Sequence, residues 1–355
     1  MGKRILAMGA AAVLAGLSVT VGTAQAEGTD IKIVLPEDLD LLEPCMATRS
    51  NIGRVIFQNV SETLTEYDAR EGGGVLPRLA ETWEQMPDGS WRFHLRRGVT
   101  FSDGSGFDAQ DVKHSFERAL SDKISCETPR YFGGMTVQAN VVDDHTIDFK
   151  ADPVQPILPL LMSMVTIVPE ETPIEFVRDP IGTGPYKVTE WTPGQRIVLT
   201  RRDGYWGAEP KVTSATYLVR SDPAVRAAMV QTGEADLAPS ISLVDATNPA
   251  TDFPYLDSET VYLRLMHDVP PMNDVRVRRA LNMAIDRQAF IGTLLPEGAE
   301  LAVALFPPTT AGWNPDVKVP AYDPEGAKKL LAEAKADGVP VDTQIRHIAR
   351  TAQFP

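Results

Sequence analysis

Histidine and cysteine are scarce in this sequence, which bears on metal and nucleophile chemistry. The chain of 355 residues has five histidines and two cysteines. The histidines are His94, His114, His145, His267 and His347. None of them stands four residues from another histidine or beside a cysteine pair, the spacings typical of zinc sites. The sequence therefore predicts no metal site, and we expect no cofactor.

Catalytic and nucleotide-binding motifs are also missing. The sequence contains no Gly-x-Ser-x-Gly nucleophile turn and no Gly-x-x-x-x-Gly-Lys phosphate loop. Gly182-Thr183-Gly184 resembles part of a dinucleotide loop, but it leads into a strand pattern and not into a helix whose N-terminus could bind phosphate. The paired carboxylates Asp143 and Asp144 fit a turn. A secreted hydrolase is therefore the less favoured alternative, and we expect a protein that is not an enzyme.

An excess of basic residues is absent as well. The sequence has 34 Lys and Arg against 48 Asp and Glu, a formal net charge of −14. Without the first 26 residues, which carry two basic and no acidic residues, the balance is 32 against 48, or −16. Nucleic acids and anionic membrane surfaces bind proteins through cations that neutralise phosphate charge. A negative field of this size argues against both as partners.

A long uncharged apolar run occurs only at the N-terminus. Lys3 and Arg4 precede an uncharged stretch over 5–22, and Ala24-Gln25-Ala26 places small residues around a cleavage position. This layout predicts a secretory signal peptide over 1–26, cleaved after Ala26. The alternative is a transmembrane anchor, which needs about 20 mostly apolar residues, whereas this run is shorter and broken by small and polar residues. With no cysteine near the cleavage position to carry a lipid, we expect a periplasmic product without membrane insertion.

The two cysteines leave two interpretations open. In an oxidising compartment Cys45 and Cys126 can form a disulfide. Its loop of about 80 residues would add ~4.5 kcal/mol to stability in the chain-entropy model. Two free buried thiols are the alternative, because sequence separation carries no information on geometry.

Length and residue patterns together indicate an α/β protein with at least two domains, since a chain of this length exceeds one ordinary core. Apolar residues at three- and four-residue spacing predict helices over 50–64, 109–120, 273–290 and 325–335. Alternating patterns bounded by turns predict hairpins, many of them between 66 and 172, and a strand over 261–265. Because strands and helices do not alternate strictly, mixed sheets with an inserted hairpin-rich part are expected.

Four groups of motifs resemble one known family in their order. The first begins at Pro77-Arg78-Leu79-Ala80-Glu81-Thr82-Trp83 and continues through 88–104 to 109–115. The others are Gly182-Thr183-Gly184-Pro185-Tyr186 with Tyr205-Trp206 and 233–237, then 270–281 with 284–287, and finally 322–331. In these motifs the sequence resembles the extracellular solute-binding proteins of ABC importers, family 5, the dipeptide-, oligopeptide- and nickel-binding type. The likeness extends along the whole mature chain.

The resemblance implies a two-lobed periplasmic binding protein of type II, in the peptide-binding cluster, whose lobes close on the ligand at a hinge. The lobe I core would comprise 27–65 and 173–262, with 66–172 as its inserted subdomain and 263–355 as part of lobe II. Family members continue further, so we expect a C-terminally truncated chain or a fragment with an incomplete second lobe. The implied partners of this monomer are ABC permease subunits and a peptide or similar small polar solute.

The resemblance also points to ligand contacts on lobe I. Thr48, Arg49 and Ser50 should line the cleft, and Arg49 could bind a carboxylate through two parallel hydrogen bonds. The alternative for Arg49 is a solvated cation, although the dipole of the helix that starts here disfavours a positive charge. Tyr131 and Phe132 stand where family members place an aromatic ring over the ligand. Packing within the inserted subdomain is the alternative for both rings.

Lobe II contributes three further candidates. Arg264, Met266 and His267 lie on the predicted crossing strand, where Met266 replaces the asparagine usual in the family. This departure puts a standard contact to the peptide backbone in doubt and leaves open a ligand other than an ordinary peptide. A nickel or heme binder is a weaker reading without a histidine cluster, and a chemosensory receptor that feeds no permease is the other alternative.

Overall fold

The structure, a computed structural model, describes residues 29–68, 74–253, 260–295, 297–305, 308 and 313–348. The predicted signal peptide over 1–26 lies outside these residues. Among the described residues, no helix has both the length and the apolar character that a membrane crossing needs.

The strands of the described chain form two four-stranded sheets and a two-stranded ribbon. They are β1 Thr29–Leu35, β2 Thr65–Asp68, β3 Gly74–Pro77, β4 Ala80–Gln85, β5 Trp91–Leu95, β6 Thr136–Asp143, β7 Thr146–Asp152, β8 Tyr186–Thr192, β9 Arg196–Arg201 and β10 Val212–Val219. The first sheet has the order β1-β10-β9-β8, the second has the order β4-β5-β7-β6, and β2 pairs with β3. Because β1 and β10 are parallel while β9 is antiparallel to both of its neighbours, the prediction of an α/β fold with a mixed sheet is confirmed.

Seven α-helices complete the described elements. They are α1 Ser50–Ile56, α2 Ala109–Ala119, α3 Pro129–Phe132, α4 Leu158–Leu161, α5 Pro223–Gln231, α6 Val275–Ala284 and α7 Pro324–Ala336. Short 3₁₀ turns occur at Pro44–Met46, Met162–Met164 and Gln288–Phe290. Aspartates cap four of the helices by accepting backbone N–H bonds, and all four stand where the sequence has Asp before a helical pattern: Asp108, Asp222, Asp274 and Asp323.

The first sheet buries one face against α1. Leu199 and Ala215 stand opposite each other on β9 and β10, and Ile197 stands opposite Tyr217. These four side chains are buried in one cluster with apolar side chains of α1, among them Ile52. Because alternate strand residues point to the same face, the pairing register places all four under the helix.

The second sheet is antiparallel throughout and forms a separate core. Phe93 on β5 stands opposite Ile147 on β7, and both are fully buried. Phe116 of α2 packs edge-on against Phe149, with ring centroids 5.2 Å apart. The sheet and its helix therefore form an inserted unit with its own hydrophobic interior.

A buried carboxylate joins the inserted unit to the first sheet. Glu62 is fully buried and accepts hydrogen bonds from Arg78, Thr183, Tyr205 and Trp206, at 2.6, 2.9, 2.9 and 2.7 Å. Four donors from three separate chain segments satisfy the charge, which is what allows a carboxylate to be buried. The motif residues at 182–186 and 205–206 are therefore part of the scaffold.

The glycines of the 182–186 motif allow a close backbone approach. A Cβ at Gly182 would collide with the Val60 carbonyl oxygen, and one at Gly184 would collide with that of Asn59. The Gly184 amide donates to Val60 O at 2.9 Å. This approach also corrects the predicted helix over 50–64. The helix ends at Ile56, and Gln58 takes a left-handed φ of 60°, because tertiary bonds to the motif outweigh helix continuation.

The C-terminal part of the described chain is built on α6 and α7. Val277 and Ala334 are buried between these two helices, together with partly buried Leu281 and Leu331. Arg276 pairs with Asp274 at 2.8 Å and with Asp337 at 2.5 Å, which ties the start of α6 to the end of α7. The predicted helix over 273–290 ends at Ala284, because Ile285 is extended (φ −101°, ψ 117°).

Candidate ligand-binding site

Three chain segments meet at the carboxyl edge of the first sheet. The parallel strands β1 and β10 end at Leu35 and Val219. On the other side of β1, Leu237 forms a parallel bridge to Ile33. In open α/β sheets, ligands bind outside the carboxyl ends of the strands, where neighbouring connections diverge. This edge is therefore the candidate site, and the connection after β1 leads into the predicted site residues.

Arg49 lies at this edge with little to hold its side chain. It precedes Ser50, the first residue of α1, and its backbone is extended (φ −73°, ψ 135°). Its guanidinium lies 3.7 Å from the Asp40 carboxylate, and the two side chains are 37% and 64% exposed. Such an exposed pair contributes at most about 1 kcal/mol. Arg49 can therefore exchange Asp40 for the carboxylate of a ligand at little cost.

Thr48 is held differently from Arg49. Its hydroxyl oxygen is buried and has no hydrogen-bond partner among the described residues. Buried hydroxyl groups normally have a partner, since leaving one unpaired costs about 1–3 kcal/mol. The hydroxyl group of Thr48 is thus buried, whereas the side chain of its neighbour Arg49 is 37% exposed.

The two aromatic candidates on the inserted unit separate in the structure. Phe132 is 3% exposed and packs edge-on against Phe116, with ring centroids 5.4 Å apart. Its ring belongs to the core of the inserted unit, as the packing alternative predicts. Tyr131 is 39% exposed and remains available to a ligand.

A disulfide brings the segments of Arg49 and Tyr131 together. Cys45 and Cys126 are bonded, with their Cα atoms 5.3 Å apart. Next to the bond, the Glu127 amide donates to Cys45 O at 3.3 Å. Thr48 and Arg49 therefore follow one end of the bridge closely, and Tyr131 follows the other.

The three candidates on the predicted lobe II belong to no helix or strand of the described chain. Residues 261–265 form no strand, because no strand of the described chain lies beside them to complete a ladder, so the predicted crossing strand is corrected. Arg264, Met266 and His267 are exposed, and His267 lies 3.9 Å from the carboxylate of Asp268. No hydrogen bond or ion pair in the described part of the chain joins them to the lobe I candidates.

A buried arginine that the sequence analysis missed organises the carboxyl edge. Arg226 of α5 is 1% exposed and donates to the carbonyl oxygens of Arg220, Ser221 and Ser240, at 2.8, 2.9 and 2.5 Å. It thereby ties the connection after β10 to the one after Leu237. Burial lowers the pKa of its guanidinium from the usual value. The only sequence signal was a lone cation within the otherwise uncharged segment Pro223–Gln231.

Two residues whose pKa is raised by burial serve the scaffold. Asp111 completes the capping box at the start of α2, and burial raises its pKa to about 6 although its carboxylate accepts N–H bonds from Asp108 and Glu170. Burial raises the pKa of Tyr217 to about 12 beneath α1. In the described residues, no three His, Cys, Asp or Glu side chains come together in an arrangement that could hold a metal ion.

The sequence profile of one family covers most of the chain. The profile described as bacterial extracellular solute-binding proteins, family 5 Middle, matches residues 74–353. The chain is 34% identical over 295 residues to the dipeptide-binding protein of Escherichia coli (strain K12), across 73% of this chain and 55% of that protein. It is 31% identical to the nickel-binding periplasmic protein of the same strain, across 78% of this chain and 55% of that protein. The chain thus spans about half the length of these relatives.

Solved structures have the same fold. NikA from Brucella suis, in complex with Fe(III)-EDTA, matches with a TM-score of 0.73 and 30% identity, over 86% of this chain and 64% of that chain. DppA from Helicobacter pylori, in complex with the peptide STSA, matches with a TM-score of 0.74 and 25% identity, over 86% of this chain and 66% of that chain. The described chain therefore has the mixed α/β architecture of two-lobed periplasmic binding proteins.

Proposed function

Because the chain belongs to the bacterial extracellular solute-binding proteins of family 5, we propose that the whole protein is the periplasmic solute-binding component of an ABC importer. It captures a peptide or a similar small polar solute between two lobes and delivers it to permease subunits. The family match over 74–353 carries this proposal, supported by the dipeptide-binding relative at 34% identity. Such a protein changes its own conformation and not its ligand, so we propose binding without turnover, and secretion by cleavage after Ala26.

The proposed lobes follow the sheets and the hydrophobic clusters. The lobe I core comprises 27–65 and 173–262, and the first sheet draws its strands from both ranges. The inserted subdomain, 66–172, contains the whole second sheet. Residues from 263 onward belong to lobe II, and α6 and α7 form a hydrophobic cluster of their own.

Arg49 is the proposed anchor for a ligand carboxylate. A charge-assisted hydrogen bond contributes about 1.5–3 kcal/mol, more than the exposed pair with Asp40 that it would replace. Tyr131, held nearby through the disulfide, offers an exposed ring that could cover the bound solute. Arg49 and Tyr131 can both contact a ligand without any change in the core of lobe I.

Lobe closure completes the proposed mechanism. Arg264 and His267 are exposed and free to contact a ligand that is already held by lobe I. A ligand that touches both lobes binds the closed form better than the open form and shifts the population toward closure. The closed form is then the one that docks on the permease.

Native mass spectrometry of the full-length protein purified from the periplasm tests the proposal. We expect a bound peptide or small polar solute and a protein mass consistent with cleavage after Ala26. Titration calorimetry then compares dialanine, alanyl-phenylalanine, trialanine, Ni²⁺ and heme. Binding of Ni²⁺ or heme without peptide binding would contradict a peptide ligand, and release of a chemically altered peptide would contradict binding without turnover.

Two arginine variants, one at the proposed site and one away from it, make the test more specific. We expect Arg49→Ala to weaken binding of the best peptide about 10- to 100-fold, the loss of one charge-assisted hydrogen bond. Arg97→Ala, which removes another exposed cation, two residues after the end of β5, is the control and should leave the affinity unchanged. Equal affinities for the Arg49→Ala variant and the wild type would remove Arg49 from the site.

A further inference from the structure

Several contacts besides the disulfide fix the inserted subdomain to the lobe I core. One is the Glu62 carboxylate with its four donors. Another is buried Arg202, which donates to the carbonyl oxygens of Thr100 and Thr183 at 2.7 and 2.8 Å. A third is an ion pair between Arg118 of α2 and Glu43, which lie 2.8 Å apart and are 2% and 0% exposed. Arg118 also donates to the carbonyl oxygens of Pro173 and Glu175, at 2.7 and 2.6 Å. These contacts already set how the two units are docked.

The disulfide therefore acts on a smaller region. It joins Cys45, in the 3₁₀ turn Pro44–Met46, to Cys126, which lies between α2 and α3. The segment over 126–131 has little regular structure, because α3 has only four residues and no side chain caps its start. A helix this short is not stable by itself. Thr128 is 1% exposed and Phe132 packs against Phe116, so noncovalent contacts tie the segment to the inserted subdomain. The disulfide is its covalent link to the lobe I core.

The same bond lies beside proposed ligand contacts on both of its sides. Thr48 and Arg49 follow Cys45 by three and four residues, and Tyr131 follows Cys126 by five. The Glu127 amide, which donates to Cys45 O at 3.3 Å, continues the link toward Tyr131. The Arg118–Glu43 pair acts on one of these segments as well, because the Glu43 carboxylate accepts from the Cys45 amide at 3.0 Å, and it links that segment to α2 and to residues 173–177.

We propose that the Cys45–Cys126 disulfide is a positioning device for the ligand site. It holds the segment of Thr48 and Arg49, on the lobe I core, in a fixed relation to the segment of Tyr131, on the inserted subdomain. A ligand then meets contacts that are already ordered and does not have to order them on binding, which strengthens affinity. This inference rests on the proposed function, since it concerns the site assigned there.

The double variant Cys45→Ala/Cys126→Ala tests the inference in the full-length protein. We expect an affinity for the best peptide of the panel that is about tenfold weaker, measured well below the melting temperature of each variant. Ile147→Ala is the stability control, because Ile147 is fully buried in the second sheet and is bonded to neither segment. It should lower the melting temperature while the affinity stays that of the wild type.

Hydrogen exchange of backbone amides supplies a second readout that needs no ligand. We expect faster exchange over 46–50 and 127–132 in the double variant, with unchanged exchange in β5 and β7. Equal affinity for the double variant and the wild type would overturn the inference while leaving the proposed function intact. If the wild type binds no peptide, the peptide form of the proposed function fails. Exchange over 127–132 then decides the inference alone, and an unchanged rate overturns it.

Discussion

The Glu62 carboxylate gives the most quantitative prediction about the scaffold. Glu62→Gln keeps the shape of the side chain but replaces one acceptor oxygen by an NH₂ group. The oxygen Oε1 accepts from Arg78 and Tyr205, and Oε2 accepts from Thr183 and Trp206. The hydroxyl groups can rotate and accept from the new NH₂, whereas Arg78 and Trp206 can only donate. Whichever way the amide turns, one fixed donor loses its acceptor.

The loss of unfolding free energy expected for Glu62→Gln follows from the burial of Glu62 and its partners. One buried donor left without an acceptor costs about 1–3 kcal/mol. Loss of the ion pair with Arg78 adds roughly 1 kcal/mol, less than the 3–5 kcal/mol of a fully buried pair. The discount applies because Arg78 is 20% exposed and keeps a second partner, Glu66, at 3.5 Å. We therefore expect the free energy of unfolding to fall by about 3 kcal/mol, and the melting temperature by about 6–10 °C.

Urea unfolding followed by near-ultraviolet circular dichroism measures this change, because Trp206 reports directly on the Glu62 site. Glu81→Gln is the matched control. Glu81 is 52% exposed and lies 3.3 Å from Arg96, so its loss should cost less than about 1 kcal/mol. A Glu62→Gln variant within about 1 kcal/mol of the wild type would refute the reasoning that this carboxylate holds the inserted subdomain on the core.

Two further predictions concern Asp111 and Arg226. The pKa of Asp111 rises from 3.8 to about 6 on folding, so its contribution to stability is full below pH ~4 and is lost as the pH rises through about 6. Asp111→Asn should remove this slope in the unfolding free energy between pH 4 and 7, and a difference from the wild type that is constant across this range would contradict the assignment. Arg226→Met should lower the unfolding free energy by about 3 kcal/mol in urea, because three partly buried hydrogen bonds from a charged donor are lost. Arg226→Lys should recover part of the loss, and an Arg226→Met variant as stable as the wild type would show that these bonds contribute nothing net.

Local sequence patterns predict much of the fold because the interactions behind them are local. Asp88-Gly89 predicts the turn between β4 and β5, and Gly89 has the positive φ of 84° that the turn requires. Asp108 begins α2 with a capping box completed by Asp111. In each case a few neighbouring residues determine the geometry, so the sequence alone is sufficient to predict it.

Distant contacts decide the features that the sequence patterns misjudge. The apolar spacing predicts that the first helix runs through Leu64. In the structure it ends at Ile56, where the Gly184 amide donates to Val60 O and the Tyr186 amide donates to Asn59 O. The pattern over 261–265 is that of a strand, yet a strand exists only with a partner, and the described chain provides none beside it. The Cys45–Cys126 bond likewise depends on the docking of two units, which the 81-residue separation does not reveal.

Residues that carry the family resemblance and residues proposed to bind the ligand differ in how far the scaffold holds them. Those that carry the family resemblance are committed to the scaffold: Gly182 and Gly184 admit a neighbouring backbone, and Tyr205 and Trp206 hold Glu62. Residues so committed cannot vary with the ligand without loss of the fold. Under the proposed function, we therefore expect ligand selectivity to depend on side chains that the scaffold leaves exposed, such as Arg49 and Tyr131. For this reason, the motifs that identify the family do not indicate which solute is bound. We expect substitutions at Arg49 and Tyr131 to change which solute is bound.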